Sequence, residues 1–251
     1  MTIHRILSGL VWLAATNLAC HCEQNEAICG IATSLALLAM TINIRRLAIR
    51  LILVRHGETA WNQERRIQGG SSDIELSELG IKQVERLGLA LKGTKIDAIY
   101  SSPLKRALDT SAAIASHHQL TVQVEPDLRE MEVGELEGVS IADTGVNFSQ
   151  FLLQWRQGQG LEKLPGGESV ADLADRLWAT IQSINERHRQ ETVVVVSHYF
   201  AVVATICKAL GWPLTRVERI RVQTSSISII DLEDGQSRLI SLGDTCHLRE
   251  G

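Results

Sequence analysis

The chain has 251 residues, of which 45% are hydrophobic and 22% are charged, proportions that suit one large α/β domain or one domain with an extension. Its net charge is −4, and because residues 1–50 hold four Arg and two Glu (+2), residues 51–251 carry −6. An acidic main domain argues against a nucleic-acid partner, and the two cysteines after residue 50, Cys207 and Cys246, argue against a disulfide framework there.

Residues 1–50 are predicted to be a hydrophobic N-terminal extension, either a weak membrane or targeting segment or a stretch upstream of the true start. Two uncharged stretches occupy it, residues 6–20 and 27–44, and the second only just reaches the length that spans a bilayer. If it does span, three arginines directly after it place the main domain in the cytoplasm: Arg45, Arg46 and Arg50. The alternative is a start at Met40, since Met40-Thr41-Ile42 repeats the opening Met1-Thr2-Ile3. We expect a cytoplasmic protein whose first forty residues add nothing to function, with any membrane association coming through residues 1–50.

From residue 51 onward, short apolar runs alternate with amphipathic segments. The runs predict strands over residues 51–54, 96–101, 121–124 and 193–196, and a terminal hairpin over 227–232 and 237–241 around Asp234-Gly235. The apolar spacing between them predicts helices over residues 77–92, 104–117, from 170 through 184, and 200–210. This alternation predicts an α/β fold, a doubly wound three-layer αβα domain with a mostly parallel central sheet, over residues 51–251.

Local signals place the helix ends. Ser102 before Pro103 is an N-cap signal, so Arg106 is expected in the first turns of the second helix. Ser169 and Asp172 form a capping pair at the start of the long helix. The first helix is expected to run from Ser77 to a stop at Gly93, with four residues on its buried stripe: Ile81, Val84, Leu87 and Leu91.

Charged and imidazole side chains follow three of the predicted strands. Arg55 and His56 come directly after residues 51–54, His198 follows residues 193–196, and Arg106 lies just beyond residues 96–101. Because ligands bind outside the carboxyl ends of parallel strands, we expect these side chains to meet at one edge of the sheet. Two arginines and two histidines there would repel one another unless an anion joined them, and a phosphate matches the guanidinium fork.

These residues carry a family resemblance. The run Leu53-Val54-Arg55-His56-Gly57-Glu58-Thr59, with Trp61-Asn62, resembles the signature of the histidine phosphatase superfamily, the phosphoglycerate mutase-like enzymes. The resemblance extends from about residue 51 to residue 248, and further blocks follow in family order: Arg66-Ile67-Gln68-Gly69, Ser101-Ser102-Pro103-Leu104-Lys105-Arg106-Ala107, Leu128-Arg129-Glu130-Met131, Gly134-Glu135-Leu136-Glu137-Gly138, Pro165-Gly166-Gly167-Glu168-Ser169 and Val196-Ser197-His198.

The resemblance implies a role for each residue of the site. His56 would attack phosphorus as a neutral imidazole and form a phosphohistidine, with its other ring nitrogen bonded to a backbone carbonyl near Gly57. Gly57 itself would let the chain turn closely beside the phosphate. The phosphoryl oxygens would be held by four side chains: Arg55, Asn62, Arg106 and His198.

Neither a cofactor nor a metal is expected. The cationic side chains of the site would supply the charge that Mg²⁺ supplies elsewhere. Cys20 and Cys22 have no second ligand pair at zinc-finger spacing, so we assign no metal there.

The acid that protonates the leaving oxygen is assigned to Glu130. Composition alone leaves Glu132, Glu135 and Glu137 as alternatives, and the Leu-Arg-Glu register of the resemblance favours Glu130. Glu58, inside the signature, is instead expected to be a structural partner of a nearby Arg.

The predicted function is metal-independent hydrolysis of a small phosphorylated metabolite. The Arg66-Ile67-Gln68-Gly69 block resembles the phosphatase branch, whereas a phosphoglycerate mutase is the alternative and a non-catalytic binding domain of the same fold is a further one. A lid is predicted over residues 139–164, where only Arg156 and Lys163 are cationic. That charge suits a monophosphate with an uncharged or zwitterionic body, such as α-ribazole phosphate, phosphoserine or a sugar phosphate.

Two departures from the family pattern stand out. Tyr199 and Phe200 follow His198 where small residues are usual, and we interpret Tyr199 as a packing residue that begins a helix. The loop over residues 69–73 is one residue longer than usual, with Glu75 where proline is common.

Overall fold

The fold is built on one six-stranded sheet in a computed structural model that describes residues 49–142, 163–233 and 236–249. The sheet order is β3-β2-β4-β1-β5-β6. Parallel pairing joins β1 to β4, β4 to β2 and β2 to β3, whereas β5 is antiparallel to both β1 and β6. The strands are β1 (Ile49–Arg55), β2 (Ala98–Ser101), β3 (Val122–Val124), β4 (Thr192–Ser197), β5 (Ile227–Glu233) and β6 (Gln236–Asp244).

Helices cover both faces of this sheet, which confirms the predicted α/β fold. They are α1 (Ala60–Gln63), α2 (Glu78–Leu91), α3 (Lys105–Ala115), α4 (Val170–Arg187) and α5 (Tyr199–Ala209). Leu51 and Leu53 of β1 pack in one core with residues of α4 and α5, and Ile52 and Val54 pack in a second core with residues of α2 and α3. Burial on both faces explains why β1 reads as an unbroken apolar run.

Helix α2 confirms its predicted limits but not its whole predicted stripe. Ser77 caps it by accepting a hydrogen bond from the Gly80 amide, whereas Ile81 is 49% exposed, so its assignment to the core was wrong. The buried face includes two glycines and is formed by Gly80, Val84, Leu87, Gly88 and Leu91. A face centred on Gly80 and Val84 turns Ile81 towards solvent.

Helix α3 begins one residue later than predicted, and Ser102 is not its N-cap. The capping position is Leu104, which makes no side-chain cap, and the Lys105 amide donates instead to Asp73 Oδ1 at 2.7 Å. The Ser102 hydroxyl is engaged by His198. Arg106 lies in the first turn, as predicted.

The remaining elements follow the sequence closely. Ser169 and Asp172 form the predicted capping box of α4, and α5 ends before Gly211, whose φ is +63°. β5 and β6 form the predicted hairpin, although its turn, residues 234–235, lies outside the described residues.

Residues 1–48 of the predicted N-terminal extension and most of the predicted lid lie outside the described residues as well. Ile49 and Arg50, predicted as the end of the extension, belong instead to β1. Within the described ranges, every helix is too short or too polar to cross a bilayer.

Replacing Gly80 by alanine tests how tightly α2 packs on the Arg55-His56-Gly57-Glu58 turn. A Cβ at Gly80 would lie 2.0 Å from the Glu58 carbonyl oxygen, so we expect Gly80→Ala to lower the free energy of unfolding by about 1–3 kcal/mol despite better helix propensity. Gly93→Ala is the control, because no atom lies within 4 Å of a Cβ there. Urea denaturation measures both, and equal stability of the two variants would contradict this packing.

Candidate active site

The carboxyl ends of β1 and β4 bring the two predicted histidines together. Arg55 pairs with Ser197 in the parallel register, and the His56 amide donates to the Ser197 carbonyl at 3.0 Å. The imidazole rings of His56 and His198 lie 5.1 Å apart, centroid to centroid, at an angle of 57°. The sheet edge predicted from the sequence therefore gathers both imidazoles.

His56 is buried and held as one tautomer. Its Nδ1 lies 2.7 Å from the Gly57 carbonyl oxygen, as predicted, and because a carbonyl only accepts, the proton is on Nδ1. Burial lowers the pKa of His56 well below its usual value, and the positive charges of Arg106 and Arg55 lower it further. A neutral imidazole with an unprotonated Nε2 is the form that can attack phosphorus.

His198 is fixed in the opposite tautomer. Arg106 Nε donates to His198 Nδ1 at 3.2 Å, so the proton is on Nε2, which lies 2.7 Å from the Ser102 hydroxyl oxygen. Burial, and then the charge of Arg106, lowers the pKa of His198 well below its usual value. Ser102 was not predicted as a site residue, because a serine before a proline is an ordinary N-cap signal.

Arg106 is fully buried and joins three parts of the site. Besides His198, it donates through Nη1 to the Ser72 carbonyl at 2.6 Å and through Nη2 to the Gly69 carbonyl at 2.9 Å. Burial lowers its pKa to about 10, which leaves the guanidinium charged at neutral pH. Two of its five N–H groups are not used in these three bonds and can serve a ligand.

Arg55 supplies a second cation beside the histidines. Its Nη1 donates to the Val222 carbonyl at 2.9 Å, and its guanidinium carbon lies 5.3 Å from the centre of the Tyr199 ring. Its Nε is buried without a hydrogen-bond partner in the described part of the chain. Because an unpaired buried donor costs about 1–3 kcal/mol, an anionic oxygen at this nitrogen would be stabilising.

Asn62 and Gln68 share a hydrogen-bond network around Thr59. The Asn62 side-chain oxygen accepts from the Thr59 amide at 3.1 Å and completes a capping box on α1, which leaves the Asn62 Nδ2 group as the predicted neutral donor. The Gln68 side-chain oxygen lies 3.1 Å from the Thr59 hydroxyl, and its Nε2 is buried with no partner among the described residues. Gln68 is a second neutral donor. It belongs to the Arg66-Ile67-Gln68-Gly69 block of the family resemblance, but no role in the site was predicted for it.

Glu130 is buried against the start of α5. Its carboxylate accepts from the Met131 amide at 2.9 Å and from the Phe200 and Ala201 amides at 3.1 and 3.2 Å. Burial raises its pKa, whereas these amides and the two site arginines oppose the rise. A carboxyl that keeps its proton to higher pH is suited to general acid catalysis.

Two of the alternative glutamates accept hydrogen bonds from other residues, and the third is exposed to solvent. Glu132 accepts from the Ser71 hydroxyl at 2.6 Å, Glu137 accepts from the Gly69 amide at 3.0 Å, and Glu135 is exposed. Glu58 has a structural role, but its expected Arg partner was wrong. Its carboxylate accepts from Gln63 Nε2 at 2.7 Å and from the Ser77 hydroxyl at 3.0 Å, because α2 packs directly against it.

Gly57 and Tyr199 both pack against neighbouring elements. A Cβ on Gly57 would lie 2.7 Å from Val84 Cγ1 of α2, and the closeness of Gly57 to the phosphate stays a prediction. Tyr199 is the first residue of α5 and donates its hydroxyl to the Ile220 carbonyl at 2.8 Å, which confirms its interpretation as a packing residue.

No three histidine, cysteine or carboxylate side chains come together at metal-binding distance within residues 49–142, 163–233 and 236–249. The groups that could hold an anion there are the remaining donors of Arg55 and Arg106 and the side-chain amides of Asn62 and Gln68.

Both the sequence and the fold of this chain are similar to those of known proteins. The model of the histidine phosphatase superfamily (branch 1) matches residues 51–245. Phosphoserine phosphatase 1 of Hydrogenobacter thermophilus is 35% identical over 202 residues, which cover 80% of this chain and 95% of that protein. Phosphoglycerate mutase-like protein 4 of Arabidopsis thaliana is 35% identical over 204 residues, covering 80% and 87%. The crystal structure of phosphoserine phosphatase from Entamoeba histolytica in complex with 3-phosphoglyceric acid matches with a TM-score of 0.72 and 30% identity, covering 80% of this chain and all of that one.

The buried neutral histidines predict how stability depends on pH. Below about pH 6.5 the unfolded chain binds protons on His56 and His198 that the folded state does not, so stability is lost as pH falls. Each histidine contributes a slope approaching about 1.4 kcal/mol per pH unit. We expect His56→Asn to have a shallower slope between about pH 6.5 and pH 5.

Chemical denaturation at several pH values measures this slope. His117→Asn, at the partly exposed end of α3, is the control and should keep the wild-type slope. An unchanged slope in His56→Asn would mean that His56 takes up its proton in the folded state too.

Proposed function

The chain belongs to branch 1 of the histidine phosphatase superfamily, and we propose that it hydrolyses a small phosphorylated metabolite through a phosphohistidine formed on His56. The observation that carries this proposal is the tautomer of His56. Its Nδ1 proton is held by the Gly57 carbonyl, and this leaves Nε2 as a neutral nucleophile beside the buried Arg106 and the partly buried Arg55.

The first step transfers the phosphoryl group to the enzyme. His56 Nε2 attacks phosphorus in line, the bond from phosphorus to the leaving oxygen breaks, and Glu130 gives its proton to that oxygen. The product alcohol leaves, and the site retains phosphohistidine and an ionised Glu130.

The second step regenerates both residues. Glu130 takes a proton from a water molecule, the water oxygen attacks phosphorus, and the P–N bond breaks to release inorganic phosphate and neutral His56. The same carboxyl therefore acts first as acid and then as base, which suits a pKa raised by burial.

The phosphoryl oxygens would be held by donors that already converge on the site. Arg55 Nε and Gln68 Nε2 are buried without partners in the described residues, and both gain an acceptor when an anion binds. Arg106 and Asn62, which keep N–H groups outside the bonds described above, complete this set. His198, predicted as a further ligand, already uses both ring nitrogens, on Arg106 and Ser102, and would hold a phosphoryl oxygen by exchanging its bond to Ser102 for one to that oxygen. Charge that develops on these oxygens in the transition state is stabilised by fixed donors, each typically worth about a hundredfold in rate.

The substrate is proposed to be a monophosphate with an uncharged or zwitterionic body, and phosphoserine is the leading candidate. Its support is the likeness to phosphoserine phosphatases from two organisms. A phosphoglycerate mutase is the second candidate, because a mutase-like protein is equally similar to this chain. The two differ in what accepts the phosphoryl group from His56, water or a second phosphoglycerate hydroxyl.

Trapping the phosphoenzyme tests the nucleophile. We expect rapid quenching during turnover of a ³²P-labelled monophosphate to leave acid-labile, base-stable label on the wild-type protein and none on His56→Ala, with turnover unchanged by EDTA. His117→Ala, remote from the strand ends, should label normally. Full hydrolysis by His56→Ala in EDTA would contradict both the nucleophile and the metal-independent mechanism.

A substrate panel separates the two candidate reactions. We expect phosphate release from phosphoserine, α-ribazole phosphate or a sugar phosphate with kcat/KM at least about tenfold above the other compounds. We also expect 3-phosphoglycerate with bisphosphoglycerate to give no 2-phosphoglycerate. Formation of 2-phosphoglycerate without free phosphate, followed by NMR, would identify a mutase instead.

A further inference from the structure

Arg176 of α4 makes a set of contacts around Glu130 that the chemistry above does not use. Its Nη1 donates to the Asp127 carbonyl at 2.6 Å and to the Arg129 carbonyl at 3.2 Å. Its Nη2 reaches the Glu130 carbonyl at 3.4 Å and forms a salt bridge with Glu168 Oε1 at 2.6 Å. One guanidinium therefore binds three backbone carbonyls of the segment that ends at Glu130.

Glu168 restrains the backbone on the C-terminal side of Glu130, at Glu132. Its Oε1 accepts from the Glu132 amide at 3.0 Å, and its own amide donates to the Glu132 carbonyl at 2.8 Å. The side chains of Arg176 and Glu168 are only 23% and 16% exposed, so water screens this ion pair less than it screens a surface pair. The backbone is thus tied down before and after Glu130.

Close packing strengthens this restraint. A Cβ on Gly167 would lie 2.3 Å from the Glu132 carbonyl oxygen, and a Cβ on Gly134 would lie 2.0 Å from the Pro165 carbonyl oxygen. The two backbone segments therefore leave no room for a side chain between them. The backbone at Glu130 is fixed in this way, and three amides hold its carboxylate, so the position of the carboxyl depends on both restraints.

We propose that Arg176, with Glu168, is a positioning residue that holds the Glu130 carboxyl at the leaving oxygen of the substrate. This proposal rests on the proposed function, in which Glu130 is the acid. Arg176 does not touch the reacting atoms, and its effect is exerted through the backbone at residues 127–132. A displacement of about 1 Å in a catalytic group can cost about a hundredfold in rate, so loss of the restraint should be visible in catalysis.

The test uses the dependence of the rate on the leaving group. A misplaced acid matters little for p-nitrophenyl phosphate, whose leaving group needs no proton, and matters greatly for phenyl phosphate or phosphoserine. We expect Arg176→Met to lower kcat/KM about a hundredfold for phenyl phosphate and less than about fivefold for p-nitrophenyl phosphate. Glu130→Gln should show the same selectivity, and the double variant should lose little more than Glu130→Gln alone.

Arg187→Met is the matched control. Arg187 lies on the same helix and forms a more exposed ion pair with Glu125 at 3.2 Å, so its loss should leave both rates near wild type. Arg176→Lys keeps the charge but not the fork, and we expect an intermediate loss for phenyl phosphate. If Arg176→Met does not fold, Glu168→Gln removes one charge while keeping the acceptor for the Glu132 amide, with an expected loss of about tenfold for phenyl phosphate alone.

Each outcome decides a separate point. Equal losses for both substrates, or the same selectivity in Arg187→Met, would show that Arg176 only stabilises the fold and would overturn the positioning role. A Glu130→Gln variant without leaving-group selectivity would overturn the acid assignment itself, and the positioning role with it. A selective Glu130→Gln beside an unselective Arg176→Met overturns the positioning role alone.

Discussion

The burial of the Arg106 guanidinium is the constraint on which the rest of the site depends. A charge taken out of water must be matched by hydrogen bonds, and Arg106 finds them on the Gly69 and Ser72 carbonyls and on His198. These bonds tie helix α3, the loop after the signature and the end of β4 to one another. Burial lowers the pKa of both imidazoles, and the charge of Arg106 lowers it further, so this guanidinium contributes both to the geometry and to the protonation of the site.

The site is prepared for an anion before one arrives. Burial and cationic charge lower the pKa of the proposed nucleophile, and burial raises the pKa of the proposed acid, so both shifts run in the direction that the first proposed step requires. A phosphoryl group that binds between them supplies a negative charge to pair with the arginines and oxygen atoms that accept hydrogen bonds from the buried donors. Binding and chemistry therefore draw on the same few groups.

Most of the fold could be predicted from the sequence because its signals are local. Strands β1 and β4 are apolar on both faces, and the capping box at Ser169 lies within four residues. The contacts that the sequence did not reveal join partners far apart in the chain: Ser102 bonds a residue 96 positions away, and α2 crowds Gly57. Glu130 could be separated from its neighbouring glutamates only by family register, since nothing in the composition says which one is buried. The role of Arg176 could not be predicted, because three of its four contacts are to backbone carbonyls, whose positions no side-chain pattern reveals.

The opposite tautomers of the two histidines have a consequence for how protons circulate. Nδ1 of His56 and Nε2 of His198 each keep their own proton in a fixed hydrogen bond, so the pair shares none between them. In the proposed mechanism, the alcohol product would take its proton from Glu130, and the water consumed in the second step would replace it. Substrate and water would then exchange protons through a single carboxyl, while the protons of both imidazoles stay in place.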